Sequence, residues 1–286
     1  KTLFCDRAVV GGWDRSDEPI LPYTTAEQMS TGWCWQIEHV NRINRGYVYC
    51  SDMISDEDAA EEFRRLNPNV PENLRIVKYR SGCYRKTWVD NVVAIGNSAG
   101  FVEPLEATAL MVVCCHTQSL VDILLNCEAN PTPTLRELYN ELTYPTWLGI
   151  RDFLGLHYKL NTALDTVFWK RCREETDLSG IQELLEFYEE NGPTGLCRYR
   201  LPASHTTNDF GIEGYLVMLV GQQANYRKRC QPTPQELTIW NRRRQEHSAV
   251  AKQGMTVKEA LAYVHHPGWE WHGDRALTAT GACSSC

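Results

Sequence analysis

Two carboxylates, Glu103 and Glu106, stand close together in the run Gly96 to Leu110, which reads G-N-S-A-G-F-V-E-P-L-E-A-T-A-L. A carboxylate can stabilise a neighbouring cation and accept its proton, and it does so more strongly away from bulk water. The run follows an apolar strand candidate, Val92 to Ile95, and opens into a long apolar segment of helical composition. A strand, a turn of small residues and a helix start together form an anion and cofactor site. The first-turn N–H groups lack intrahelical acceptors, and the helix dipole is positive there. Gly96 and Gly100 permit close backbone approach, and Pro104 suits the first helical turn, where its missing N–H costs nothing. Acids in a first turn are also ordinary dipole caps, and capping alone would explain both glutamates.

Upstream, Gly32-Trp33-Cys34-Trp35-Gln36-Ile37 places two indoles on one face of a strand. Such a pair either packs a core or walls a site. Gly46-Tyr47-Val48-Tyr49 and Trp88-Val89-Asp90-Asn91-Val92-Val93-Ala94-Ile95-Gly96 lie between the tryptophans and the carboxylates. In this order the motifs G-W-x-W-x-I and G-F-V-E-P-L-E-x-T resemble the flavin-dependent halogenases, the family typified by tryptophan halogenases. The resemblance runs from about Leu3 to about Trp169 and more loosely beyond.

That resemblance implies an α+β or α/β fold. Part of an FAD-dependent monooxygenase-like sheet domain would be followed by a mostly α-helical region, with residues 1–127 as the flavin and halide part and 128–286 as the substrate side. It implies reduced FAD (FADH2) as cofactor and chloride or bromide as co-substrate, which oxygen and the flavin convert to hypohalous acid. A lysine then delivers electrophilic halogen to an aromatic ring. The match puts the acidic partner of that step at Glu106. It puts halide at the backbone N–H groups of Thr108 and Ala109, and flavin contacts at Gly96, Asn97, Gly100, Phe101 and Leu110. Trp33 and Trp35 would wall the flavin chamber and keep organic substrate from the oxidant. Three departures stand out: Glu38 where the family commonly has Pro, Ala107 where it has Ser, and Ala109 where it has Gly. The first removes a motif residue, the second a hydroxyl that could relay a proton, and the third narrows the approach of halide.

On the substrate side, Tyr215 loosely matches one of the aromatics that hold tryptophan, and its partner is missing. His157-Tyr158 and Phe168-Trp169 also match, in the family or as plain helix packing. Free tryptophan is therefore not the expected substrate, and an indole, a phenol and a tryptophan within a larger molecule are equally open. A separate flavin reductase is implied, and a homodimer is allowed. The chain opens on Lys1 and contains neither a G-x-G-x-x-G loop nor a match to the family's lysine. It therefore reads as the C-terminal half of a halogenase, incomplete for activity and without tight hold on flavin. Two other readings compete: a flavin monooxygenase of the same broad fold, and an inactive truncated paralogue. Asn97 and Gly100 stand where a monooxygenase motif has Asp and His, and the tryptophan pair argues against it.

The elements that must position these residues lie in a chain of 286 residues with 43% hydrophobic and 23% charged residues and a net charge of −7. That suits a globular protein with a sizeable core and gives no electrostatic case for nucleic acid or an anionic membrane. The longest uninterrupted apolar run, Ala109 to Cys115, is far short of a membrane span. Twelve cysteines, among them Cys34, Cys50, Cys114 and Cys115, sit mostly alone in apolar patterns. They read as buried reduced thiols and hence a cytoplasmic location. The C-x-x-C pair Cys283 and Cys286, near His265, His266 and His272, has no standard zinc spacing, so no metal is expected.

Residues 3–10, 32–38, 46–50, 75–79 and 92–95 read as strands. Ser55 caps a helix with acids in its first turn and Arg64 and Arg65 in its last. Leu105 to Cys127 reads as one apolar helix, buried because it is apolar nearly all round. Leu135 to Lys170 follows as helix with an interruption at Pro145, and residues 190–211 as a loop. Ser179 with Gln182, Thr233 with Glu236 and Thr256 with Glu259 read as capping boxes.

Overall fold

Apolar residues at successive positions, as in Trp33-Cys34 and Tyr47-Val48-Tyr49, build a sheet whose central strands are buried on both faces. A computed structural model describes residues 2–206, 210–228 and 231–270. Strands β1 (Arg7–Asp14), β2 (Thr25–Met29), β3 (Gly32–Glu38), β4 (Arg42–Tyr49) and β5 (Arg75–Lys78) form one sheet in the order β2-β3-β4-β1-β5. Every pairing in it is antiparallel. Odd positions of β4 carry Tyr47 and Tyr49 toward helix α1 (Asp56–Leu66), whose Ala59, Ala60 and Phe63 pack beneath Val9, Met29 and Cys34. The Tyr47 hydroxyl donates to Glu62 at 3.1 Å and that of Tyr49 to Asp56 at 2.8 Å. α1 starts where expected, with the Asp58 N–H donating to Ser55 Oγ at 3.0 Å.

Trp33 and Val48 point to the opposite face and join the main core with Ile150, Leu154, Tyr158, Phe168 and Trp169. Trp35 lies against Gly46, its partner across the ladder. A Cβ on Gly46 would stand 2.4 Å from the indole, so glycine alone lets the ring lie on that strand.

The segment 82–101 is built of short pieces: β6 (Gly82–Cys83) pairs with β9 (Gly100–Phe101), and β7 (Trp88–Val89) with β8 (Val92–Val93). The expected strand 92–95 is therefore a two-residue arm of a tight hairpin, turned at Asp90 with φ 52. After it come a 3₁₀ turn over Gly96–Ser98, a second over Leu105–Ala107, and helix α2 (Ala109–Asn126).

The expected helix from Leu105 is thus broken at Glu106 and Ala107, and α2 starts later. Nor is α2 buried: Val112, His116 and Ile123 are covered, while Leu110, Val121 and Leu125 are exposed. Its apolar circumference exceeds what helix α3 alone can cover. By length and composition alone, Leu105–Asn126 would also suffice to cross a membrane, because Asp122 is its one charged residue after Glu106. Cys114 is exposed rather than buried.

Helix α3 (Pro133–Lys159) runs unbroken through Pro145. An interior proline costs about 3 kcal/mol. The row Tyr139, Thr143, Trp147, Ile150, Leu154 and Tyr158, all buried, outweighs it. Asn140 ties α3 to the β7 hairpin, its Oδ1 accepting from the Thr87 and Trp88 N–H groups at 2.7 and 2.8 Å. Helix α4 (Val167–Glu175) returns Phe168 and Trp169 to the sheet, and Trp169 Nε1 donates to the Met29 carbonyl at 2.9 Å.

α5 (Gln182–Asn191) begins after a 3₁₀ turn at Ser179–Ile181, so Ser179 makes no capping box. The expected loop contains a 3₁₀ turn at Gly195–Tyr199 and the short α6 (Ala203–Thr206). α7 (Gly211–Gly221) closes a second core around Phe153, Leu184 and Tyr215. α8 (Pro234–Ala251) and α9 (Val257–Val264) start on the two expected capping boxes and bury no residue among those described. None of the nine described cysteines is in a disulfide, and the described residues hold no metal-binding cluster. His272, Cys283 and Cys286 lie outside the described residues.

Candidate functional site

Backbone strain marks the centre of the site. Glu106 has φ 70 and Ala107 φ 51, two consecutive left-handed residues that are not glycine. Such conformations cost on the order of 1–3 kcal/mol each and persist where the surroundings over-determine them. Here Pro104 opens the 3₁₀ turn Leu105–Ala107, α2 begins at Ala109, and the two strained residues make the corner between Pro104 and the helix. Neither glutamate caps α2, which has no acid in its first turn and no side-chain cap.

Two adjacent residues of α3 grip the two carboxylates. His157 Nε2 lies 2.8 Å from Glu106 Oε1, and the Tyr158 hydroxyl donates to Glu103 Oε1. Trp33 Nε1 also donates to Glu103 Oε1, at 3.1 Å. Glu103 is buried at 1% exposure, with Oε2 enclosed and without a partner among the described residues. Burial pushes its carboxyl up from 4.5 to about 7, against the opposing pull of the Tyr158 and Trp33 hydrogen bonds. Glu106 moves the other way: the hydrogen bond from His157 holds it below the ordinary carboxylate value, against a smaller effect of burial. One motif thus carries one carboxyl driven toward its neutral form and one held ionised. Acid and base roles are divided in this way in many active sites.

A cleft of about 160 Å³ opens beside them, lined by Trp33, Leu105, His157, Tyr158, Trp169 and Gln222. Trp33 is therefore both core and wall. Trp35, half-buried on Gly46, packs against the same core. Tyr158 stacks on Trp169 with ring centres 5.7 Å apart, fixing its hydroxyl toward Glu103.

The remaining expected residues fall around this centre. Thr108 is buried at the α2 start, and Ala109 and Leu110 are exposed on its first turn, Leu110 at 79%. Gly96 holds φ 61 and Asn97 is exposed beside it. Gly100 is a packing glycine: a Cβ there would meet Cys83 Cβ at 2.7 Å and the Trp147 ring at 2.8 Å. Phe101 packs on Tyr79 with ring centres 5.1 Å apart. Tyr215 is fully buried on α7 and meets Phe153 edge-on, one ring removed from His157. Glu103, read from sequence only as a cap, and the pair His157-Tyr158, whose contacts the sequence does not give, are the additions the structure makes. The adjacent His-Tyr near the end of a long helix, matched to two motif acids, was the available signal.

Gly96, at φ 61, lies against Val113 of α2, and Leu110 is exposed on the first turn of that helix, whose first N–H groups lack intrahelical acceptors. Such a donor set suits a flat cofactor with an accompanying anion.

A family model described as tryptophan halogenase matches residues 1–234. Tryptophan 7-halogenase KtzQ of Kutzneria sp. (strain 744) is 36% identical over 200 residues, 68% of this chain and 37% of that protein. Tryptophan 7-halogenase RebH of Lentzea aerocolonigenes is 34% identical over 190 residues, 65% of this chain and 36% of its own. Among solved structures, MibH, described as a lathipeptide tryptophan 5-halogenase, superposes with a TM-score of 0.81 at 34% identity, covering 98% of this chain and 55% of that one. The chain thus spans little more than a third of the curated relatives and about half of that solved chain. By sequence and fold alike, the chain belongs to the tryptophan halogenase family of flavin-dependent halogenases.

Proposed function

We propose that this chain supplies the halide-side wall and the acidic catalytic group of an enzyme that halogenates an aromatic, indole- or phenol-type substrate. The observation that carries the reading is Glu106, strained to a left-handed backbone and held ionised by His157 beside the Trp33 cleft. Reduced flavin, when bound, would supply with oxygen the oxidising power that makes halide electrophilic.

This chain's residues then have separate tasks. Gly96, Asn97, Phe101 and Leu110 would contact the flavin, and Gly100 keeps the motif packed on α3. The N–H groups of Thr108 and Ala109 would hold chloride or bromide. Trp33 and Trp35 would exclude substrate and water from the oxidant. Glu106 would stabilise the cationic ring intermediate and accept its proton. A carboxylate suits this task because its charge is greatest where the ring charge develops. Tyr215 would act on the substrate only from behind Phe153, by shaping the wall. A separate reductase would provide reduced flavin. A cytoplasmic location accords with nine described cysteines outside any disulfide.

MibH, whose description names a lathipeptide tryptophan, resembles nearly the whole chain. Peptide-borne tryptophan therefore belongs in the substrate panel with free tryptophan, indole and phenols. The test is the full protein with a flavin reductase, bromide or chloride, and this panel, read by mass spectrometry. A halogen mass shift is expected. Hydroxylated product alone would instead establish a monooxygenase, and flavin-free, inactive protein an inactive paralogue.

A further inference from the structure

We infer that His157 is a positioning residue that shares one proton with Glu106 and sets its ionisation. The structural part stands on geometry alone, and its catalytic consequence rests on the proposed function. His157 Nδ1 lies 3.1 Å from the Phe153 carbonyl oxygen, and Nε2 lies 2.8 Å from Glu106 Oε1. A carbonyl oxygen only accepts, so Nδ1 carries a proton. A neutral ring then has only a lone pair at Nε2, which would face a carboxylate oxygen. The contact is favourable only with one further proton between them, on the ring or on the carboxyl.

The surroundings hold this arrangement in place. Phe153 meets the His157 ring edge-on at 5.4 Å, and Phe210 stacks on Phe153 at 3.7 Å, so the imidazole plane is set from behind. The left-handed corner carries Glu106 to the α3 side, where a continuous helix through Leu105 would have placed it differently. Among the described residues, the titratable groups that bond to His157, act on it or line the cleft with it are Glu106 and Glu103 from the motif, Tyr158 on its own helix, and Glu27 from β2. Glu27 is paired with Arg45, and Glu103 with Trp33 and Tyr158, which leaves Glu106 to His157.

In the proposed reaction the ring C–H bond breaks, its electron pair restores aromaticity, and the proton forms an O–H bond on the Glu106 carboxylate. His157 keeps Glu106 in the ionised form that can take this proton. It then shares the added proton, which leaves to solvent from the pair.

The test uses the full protein and two variants, His157→Gln, which keeps a donor but no titratable proton, and His157→Phe, which keeps only shape. The Glu106 carboxyl is followed by carbon-13 NMR, assigned with Glu106→Gln. Its titration should move to higher pH in His157→Phe and part of the way in His157→Gln. For halogenation, kcat should fall about tenfold or more in His157→Phe. The acid limb of the kcat profile should move to higher pH, with KM little changed and partial rescue in His157→Gln. An unmoved Glu106 titration in both folded variants would overturn the inference, whether or not the protein halogenates. A moved titration in a protein that never halogenates would leave the proton-sharing pair intact and instead remove the proposed reaction.

Discussion

Trp33 Nε1 donates to Glu103 Oε1 at 3.1 Å, joining the tryptophan strand to the first motif carboxylate across 70 residues of sequence. The two motifs by which the family is read from sequence are therefore one hydrogen-bonded unit. The indole that lines the cleft is held by the buried acid, and the acid by the indole and Tyr158.

Trp33→Phe tests that unit while keeping an aromatic ring. Glu103 would lose one of the two donors that favour its ionised form, so its carboxyl should titrate higher still. Removing a hydrogen bond to a buried charged group costs on the order of 1–3 kcal/mol. Urea unfolding and carboxyl NMR check both effects.

Glu103 also predicts a pH dependence of stability. Burial raises its carboxyl from 4.5 in the unfolded chain to about 7 in the fold. A raised acid favours the protonated fold, so its contribution is complete below about 4.5 and is lost as pH rises through about 7. Glu103→Gln, neutral at every pH, should remove that slope. Melting temperatures of both proteins from pH 5 to 8 should converge at the acid end relative to the alkaline end. Parallel curves would show that Glu103 does not titrate in this range.

Glu106→Gln keeps shape and loses charge. In the full protein, halogenated product should fall on the order of 10²-fold, while reduced flavin is still consumed. Product formation and flavin oxidation measured together separate this from damage to flavin binding, which would reduce both.

Trp33→Ala with Trp35→Ala should open the chamber wall. A buried Trp-to-Ala change costs roughly 3–5 kcal/mol, so circular dichroism must first show a folded variant. In that variant, halogenated aromatic formed per reduced flavin consumed should fall well below the parent. Equal coupling would leave the two indoles with a packing role only.

Gly46→Ala probes the seat of Trp35 from the other strand. The new methyl would lie 2.4 Å from the indole, with no flexible neighbour to yield except the ring itself. Overpacking of this kind costs about 1–3 kcal/mol. A lowered denaturation midpoint with displaced Trp35 fluorescence is expected.

Sequence alone carried the family and the α+β character, because these are written in short motifs and local patterns. Ser55, Thr233 and Thr256 announced their helices for the same reason: a cap is satisfied within three residues. What failed was decided at long range. Pro145 did not stop α3, because buried side chains on both sides of it outweigh one lost backbone hydrogen bond. Leu105 did not start α2, because the corner at Glu106 and Ala107 is left-handed, which no propensity of Glu or Ala announces. The apolar composition of α2 predicts burial, yet composition does not say what covers a helix, and the described residues cover one face. Glu103 and Glu106 look alike in sequence, with the same residue type in the same short motif. Only the fold makes them different, by burying one against Trp33 and Tyr158 and setting the other against His157, since ionisation depends on neighbours brought from elsewhere in the chain.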